Sequence, residues 1–600
     1  MVGLRWQTRA GQKRATTSAR ANAGISPLRC ASVEMTTGWG AGLWWCGVVV
    51  WGAGGGVGGC GWWWGAGVGG RGCWDGLRRG GGGRVVAMIL RRLVPALLLL
   101  SLPVVAQRQH ERTGEKPAAE AAAKPAEKPD AKVSEKAAAG AEGLPEDKSV
   151  AQTVSVNGRV LHYTATVGTI HLKDAMGKAT GDVMYTAYTL DREKGAAERP
   201  VMFAFNGGPG ASSVYLNLGA VGPKHIAFAN AGDSASDPAT LTDNPGTWLD
   251  VTDEVFIDPI GTGFSKSLVD EAETKKLFYA PTPDIEYLSL VIYKWLVKND
   301  RLLDKKYLMG ESYGGYRGPR MTHYLQTQLG VGINGLVLVS PYLNPTFGDG
   351  NLSPVPWMIT LPSITAAHLE NENKLTEDAM QRVIAYTEGE YATAMIKGPE
   401  DKAGTDAMIA KVTEMTGLDP MFVRYSGGRL ETRAYLREVH REKGEIGSVY
   451  DSNVTAPDPF PYAASQESSD PILESIIAPT TSAMVDFITR TVGWKTDARY
   501  YALSEAVNRE WDRSTDLRQG AVSDLREAVA ADPKLNVLIV HGWNDLSCPF
   551  MGSLLTQNQL PSKLASQVQV HEFAGGHMFY TRAGNGAGLH ALAEALVKTH

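Results

Sequence analysis

The sequence predicts an α/β fold: a mostly parallel central sheet flanked by helices, with an inserted cap region. Two observations predict the sheet. Short apolar runs recur at 201–205, 255–257, 307–309, 336–339 and 537–540 and lead into Gly-rich turns. Helical stretches, such as 285–298 and 318–329, lie between several of them. Strands buried on both faces read as unbroken apolar runs, and their alternation with helices builds parallel pairing. A third observation predicts the cap. Between 349 and 518 this rhythm stops, and the chain is polar, aromatic-bearing and partly helical.

Residues 1–87 do not read as a domain. From Gly38 to Gly83 the chain is mostly Gly, Trp, Val, Ala and Arg, as in Trp62-Trp63-Trp64-Gly65. Glycine at this density carries a large backbone-entropy cost, and the tryptophans have no periodic apolar partners. These residue types share G-rich codons, so the stretch reads as upstream DNA translated from a misplaced start. A genuine low-complexity tail is the alternative. Met88 opens a second beginning. Arg91 and Arg92 are basic, 93–106 is apolar around Leu97-Leu98-Leu99-Leu100, and Val104 and Ala106 suit a cleavage site before Gln107. That is the layout of a secretory signal peptide at 88–106, and the run is shorter than the ~20 apolar residues of a spanning helix. An uncleaved anchor is the alternative. Residues 107–148 mix charges with Ala and repeated Pro, as in Lys116-Pro117-Ala118-Ala119-Glu120, and read as a disordered linker.

The folded core is expected as a first part at 149–348, the cap insertion at 349–518 and a second part at 519–600. Its opening stretch, 154–172, largely alternates apolar and polar residues around Asn157-Gly158, a hairpin signal. Residues 185–190 read as a further strand. A formal net charge of −5 with 20% charged residues gives no electrostatic case for nucleic acid. Four of the five cysteines lie in the first segment, in no zinc-like spacing, and only Cys548 falls in the core. A disulfide-stapled scaffold is therefore excluded.

Gly310-Glu311-Ser312-Tyr313-Gly314 follows one apolar run and precedes a helical stretch. That is the setting of a nucleophile elbow, where a strained turn exposes a serine hydroxyl and flanking glycines let strand and helix pass closely. A serine hydroxyl needs a base and an orienting acid, here expected in the chain order Ser, Asp or Glu, His. The run 537–540 leads into His541-Gly542-Trp543-Asn544-Asp545, and 568–573 leads into Ala574-Gly575-Gly576-His577. Asp545 and His577 thus follow strand ends, where such sheets place functional groups. His541 precedes Asp545 and reads as a packing residue. An oxyanion needs two backbone donors. One is expected from Tyr313, the other from Gly207 or Gly208 in Asn206-Gly207-Gly208-Pro209-Gly210. A phosphate-binding or plain Gly-Pro turn is the alternative for that loop. Ser312, Asp545 and His577 together imply an α/β-hydrolase whose insertion covers the sheet's catalytic edge.

The chain resembles the serine carboxypeptidase family, peptidase family S10. The segments that carry the resemblance are Asn206-Gly207-Gly208-Pro209-Gly210-Ala211-Ser212-Ser213, Asp258-Pro259-Ile260-Gly261-Thr262-Gly263-Phe264-Ser265, Gly310 to Gly315, the surroundings of Asn544-Asp545 with Cys548, and Gly576-His577-Met578. They cover about 200–345 and 535–580, in the family's order. The resemblance implies Ser312, Asp545 and His577 as catalytic triad, Gly208 and Tyr313 as oxyanion donors, and Asn206 and Glu311 as binders of the substrate's terminal carboxylate. An amide N–H₂ and a protonated Glu311 both donate to a carboxylate, and a neighbouring carboxylate would raise the Glu311 pKa. A structural role for Glu311 is the alternative. Four departures stand out. Phe205 replaces Trp, Ala211 replaces Cys, and Phe579-Tyr580 replace Val-Pro. The family's second glutamate has no counterpart in Gly219-Ala220-Val221.

The expected activity is hydrolysis of the C-terminal peptide bond through an acyl-enzyme, on peptides with a free C-terminus, in a secreted or periplasmic protein without stable membrane insertion. No metal or organic cofactor is implied, since neither an HExxH nor a phosphate-loop pattern is present. An esterase, acyltransferase or aminopeptidase on the same frame is the first alternative. A non-catalytic secreted binding protein is the second. Oligomeric state is left open.

Overall fold

The computed structural model describes residues 143–598 except 194–197, 227–234, 237–238, 349–352, 464–468 and 515–519. The expectations for 1–87, for 88–106 and for most of the 107–148 linker lie outside the described residues.

Nine strands run through the main sheet: β1 (Lys148–Val156), β2 (Arg159–Lys173), β3 (Ala179–Leu190), β4 (Val201–Phe205), β5 (Asp253–Ile257), β6 (Lys306–Glu311), β7 (Gly335–Val339), β8 (Asn536–Gly542) and β9 (Val568–Phe573). Among the described residues their order is β1-β2-β3-β5-β4-β6-β7-β8-β9, and a short strand at Lys266–Ser267 adds to β3. The first three pair antiparallel and β3 meets β5 antiparallel, while all pairs from β5 to β9 are parallel. The fold is thus an α/β-hydrolase with a mixed, mostly parallel sheet. Asn157 and Gly158 both take positive φ, 50° and 75°, in the two-residue turn that closes the β1–β2 hairpin.

The parallel strands are buried on both faces, which is why they read as apolar runs. Val201, Phe203 and Phe205 face one layer, with Leu336, Leu338, Val537 and Ile539. Helices α1 (Pro281–Lys298), α2 (Tyr313–Gln328) and α6 (Ala521–Ala531) pack there, with Leu288, Met321 and Leu525 wholly buried. Met202, Ala204, Val337, Val339, Leu538 and Val540 face the other layer, against α7 (Asn585–Lys598). A helical bridge ties the first layer together. Arg317 on α2 donates from Nε and Nη2 to the Asp284 carboxylate on α1, at 2.7 and 3.2 Å, and from Nη1 to the Asn206 carbonyl at 2.7 Å.

Two boundaries differ from the expectation. Residues 143–148, assigned to the linker, belong to the fold. Leu144 is buried and its amide donates to Asp182, while Asp147 accepts from the Tyr185 hydroxyl and from Lys298. The stretch 349–518 is not one cap. Helices α3 (Val355–Asn371) and α4 (Lys402–Thr416) contribute to separate apolar clusters with Tyr391, Val423, Met380 and Phe550. By contrast, α5 (Pro471–Asp486) and the residues up to Ala502 join the sheet's own core through Ile476, Phe487, Trp494 and Tyr500. Apolar burial on the sheet, rather than sequence continuity, decides which layer that tail belongs to.

The turn from β6 into α2 places Ser312 at φ 58°, ψ −121°. The chain passes so closely here that a Cβ on Gly310 would stand 2.0 Å from the Gly314 carbonyl oxygen. Gly310→Ala is expected to destabilise the protein by about 3 kcal/mol or more, measured by urea unfolding against the wild type.

Candidate active site

Four loops meet at the carboxyl ends of the parallel strands. Gly208 follows β4, Ser312 follows β6, Asp545 follows β8 and His577 follows β9. Strand β7 lies between the serine and the Asp–His side, and it holds both. Its last carbonyl, Val339, accepts from the Ser312 amide at 3.0 Å. Ser340, next along the chain, donates from its hydroxyl to the His577 carbonyl at 2.8 Å. The Ser312 carbonyl accepts from the amides of Gly315 and Tyr342, at 2.8 and 2.9 Å, so the elbow backbone is fixed on both sides.

His577 Nδ1 lies 2.8 Å from Asp545 Oδ2. The other carboxylate oxygen accepts from the amides of Ser547 and Cys548, at 2.8 and 2.9 Å. Both side chains are buried. Burial alone would lower the imidazole pKa. The Asp545 charge, its hydrogen bond and a contact with the Cys548 thiol outweigh burial and hold that pKa well above the usual range. The Tyr450 ring stands edge-on to the imidazole, with centroids 5.1 Å apart, and its carbonyl accepts from the His577 amide. Ser312 is half-buried on the wall of a cavity of about 260 Å³ shared with Gly208 and Tyr313. Among the described residues its hydroxyl makes no hydrogen bond. The Ser312–His577 bond of a triad is therefore not formed here, and such bonds often tighten only with substrate present.

Gly207 and Gly208 divide the work of the early loop. A Cβ on Gly207 would stand 2.3 Å from the Tyr313 amide nitrogen, and Gly208 takes a φ of 99°. The amide of Tyr313 is thus kept uncovered by a missing side chain.

Asn206 and Glu311 are brought together and buried. The Asn206 amide donates to Glu311 Oε2, and Asn206 Oδ1 accepts from the Leu216 amide. Glu311 Oε1 accepts from the Tyr580 hydroxyl at 2.7 Å. The Glu311 pKa is pushed up to about 7. Its cause differs from the expected one. Burial comes first, and the Asp545 charge adds a smaller upward push, against His577, Tyr580 and Asn206. Ala220 is buried in the apolar core, so no second glutamate reaches Glu311 from that stretch. Tyr580, noted in the sequence only as a replacement for proline, fills the role of hydrogen-bond partner. Cys548 was noted as the one cysteine of the core and as part of the resemblance, but its contact with His577 had no signal of its own.

Among the described residues His541 makes no hydrogen bond to the Asp545 or His577 side chain. Its Nε2 meets the Ser553 hydroxyl at 2.8 Å, and burial pushes its pKa down to about 4. Behind His577, Arg582 donates to Glu370 on α3 and to Asp451, each at 2.5 Å. Asn544 donates to Glu370 as well, also at 2.5 Å. The loops carrying Asp545 and His577 are thereby tied to the cap helix.

A strand–serine–helix elbow beside an Asp–His pair at the carboxyl edge of a parallel sheet defines an α/β-hydrolase. The chain belongs to the serine carboxypeptidase family, peptidase S10, whose sequence profile matches residues 175–582. Serine carboxypeptidase-like 36 of Arabidopsis thaliana is 27% identical over 210 residues, 34% of this chain and 40% of that protein. Pheromone-processing carboxypeptidase KEX1 of Ogataea parapolymorpha is 31% identical over 157 residues, 26% of this chain and 23% of that protein. The matched stretches thus span well under half the length of both relatives. The crystal structure of KEX1(delta)p, a prohormone-processing carboxypeptidase of Saccharomyces cerevisiae, aligns with a TM-score of 0.46 at 14% identity, over 72% of this chain and 91% of that chain.

Arg582→Met would leave Glu370 and Asp451 facing one another without their shared cation. A loss of about 2–3 kcal/mol is expected, seen as a lower urea midpoint with an unchanged slope.

Proposed function

We propose that the protein is a serine carboxypeptidase acting through an acyl-enzyme. The observation that carries this reading is the buried Asp545–His577 pair on the same sheet edge as Ser312, where Gly208 and Tyr313 border one cavity with the serine. His577 accepts the Ser312 proton as the hydroxyl oxygen attacks the carbonyl carbon of the last peptide bond. Asp545 holds the Nδ1–H and stabilises the imidazolium, in keeping with the raised pKa of His577. The Gly208 and Tyr313 amides hold the oxyanion. His577 then returns the proton to the leaving nitrogen, the C–N bond breaks, and water activated by His577 releases the acyl group. Asn206 and protonated Glu311 donate to the terminal carboxylate. In the same reading the 88–106 segment directs export, so the enzyme meets its peptides outside the cytoplasm.

A second reading, an esterase, acyltransferase or aminopeptidase on the same frame, is favoured by one observation. Asn206 and Glu311 already bond to one another, and Tyr580 takes the remaining Glu311 oxygen. Matched peptides with free and amidated C-termini separate the two, read by mass spectrometry. Preferential cleavage of the free acid supports the carboxypeptidase, and equal cleavage moves the assignment to the second reading. Fluorophosphonate labelling of the wild type, lost in Ser312→Ala, is the expected result for the nucleophile.

The Glu311 pKa gives a pH dependence. Below about 7 the carboxyl is protonated and donates, and above it the carboxylate repels the substrate's own. KM for free-acid peptides is expected to rise about tenfold between pH 6 and 8. Glu311→Gln should flatten that rise, and a rise that persists in this variant would place the titration elsewhere.

A further inference from the structure

We infer that Arg513 selects substrates with an acidic side chain on the residue whose carbonyl Ser312 attacks. The cavity beside Ser312, about 260 Å³, has room for one side chain. Tyr313, Tyr316, Tyr342 and Trp511 give it aromatic walls, and among the described lining residues only Arg513 carries a full charge at neutral pH.

The guanidinium is held in place by uncharged acceptors. Nη1 donates to the carbonyls of Asn508 and Trp511, at 2.9 and 3.5 Å, and Nη2 donates to Asn508 Oδ1 at 3.1 Å. All three acceptors are uncharged. Among the described residues no carboxylate lies within ion-pair distance of Arg513. A guanidinium has five N–H donors in a rigid plane. Asn508 accepts from both Nη atoms, and among the described residues Nε–H has no acceptor, so Nε–H with a second Nη2–H is the pair for a ligand. That pair matches the two oxygens of one carboxylate, the geometry in which Arg binds acids best. Asn508 is itself fixed, because its Nδ2 donates to the Pro209 carbonyl at 3.0 Å in the loop that carries Gly208. The charge is thus held in register with the site of attack. A neutral isostere loses the charge-assisted bonds, and a basic side chain meets like charge.

The carboxypeptidase reading supplies the peptide's orientation, but acylation alone tests the cavity. Two series are therefore needed: N-acylated dipeptides Xaa-Leu with a free C-terminus, and N-acyl-Xaa methyl esters, with Xaa as Glu, Gln, Phe or Lys. The wild type should favour Glu over Gln by about tenfold in kcat/KM, less at high salt. The preference should vanish in Arg513→Gln and pass to Lys in Arg513→Glu. Arg513 is exposed at the cavity rim, so both variants keep the core intact. Equal rates for Glu and Gln in the wild type would overturn the inference, as would an equal loss for every Xaa in Arg513→Gln. Uncut dipeptides with esters that still rank Glu first would sink the carboxypeptidase reading and leave the inference standing. Failure to turn over either series overturns both.

Discussion

The site depends on one steric constraint: three backbones pass at the elbow with no side chain between them. Gly310 and Gly314 let β6 turn into α2 within contact of each other, and Gly314 lies against the Phe205 carbonyl, where a Cβ would stand at 2.6 Å. Gly207 lies against the Tyr313 amide. Ser312 takes a left-handed φ that a residue with a Cβ adopts only when its surroundings enforce it. Here the enforcement is visible in the bonds from Val339, Gly315 and Tyr342 to its backbone. Strain at the serine is therefore supported by the sheet on one side and by the early loop on the other. The buried Arg317 fork, which reaches Asp284 and the Asn206 carbonyl at once, keeps that loop against α2.

The sheet was legible in the sequence because its parallel strands are buried on both faces, and continuous apolar runs at 201–205 and 537–540 can hardly be anything else at that length. The start of α2 was less so. The expected helix began at 318, whereas the observed one begins at Tyr313. Gly314, Gly315, Gly318 and Pro319 all disfavour a helix locally, and tertiary packing of the elbow overrides them. The fate of 143–148 was hidden for a different reason. Leu144, Asp147 and Lys148 gain their partners at Asp182, Tyr185 and Gly493, far along the chain, and no local pattern records such contacts. Asp545 and His577 could be nominated from chain order and strand ends. Tyr580 was visible only as a departure from a family pattern, and Arg513 not at all, because an isolated arginine in a polar insertion carries no signal until the fold brings it beside Ser312.

The partners of Glu311 show how a change of residue type keeps a site's chemistry within bounds. A buried carboxyl needs hydrogen bonds or a proton. A second carboxylate would supply a shared proton and a mutual repulsion. The Tyr580 hydroxyl supplies a donor without adding charge, so burial becomes the leading cause of the raised pKa. The position on the loop after His577 makes this possible. Phe579, stacked on Phe573, and Tyr580 turn inward immediately beyond His577, which couples the orientation of the imidazole loop to Glu311 beside Ser312.

The tail of the insertion has a structural task that its polar sequence conceals. Leu503 bridges to Ala211 and Tyr501 to Gly263, while the Ser504 amide donates to the Gly210 carbonyl at 2.7 Å. Gly210 lies so close that a Cβ would stand 2.5 Å from the Ser504 carbonyl oxygen. The Tyr500 hydroxyl reaches Ser212 and the Asp258 carboxyl, which also receives the Ser213 amide. The early glycine loop is thus held from above by residues nearly three hundred positions later, and from below by the elbow. A loop this rich in glycine has much conformational freedom to lose. An oxyanion donor works only when its N–H is already in position. The same tail carries Asn508 and Arg513, so the segment that orders the loop of Gly208 also carries the charge at the cavity's rim, and the proposed chemistry and the proposed selectivity share a single brace.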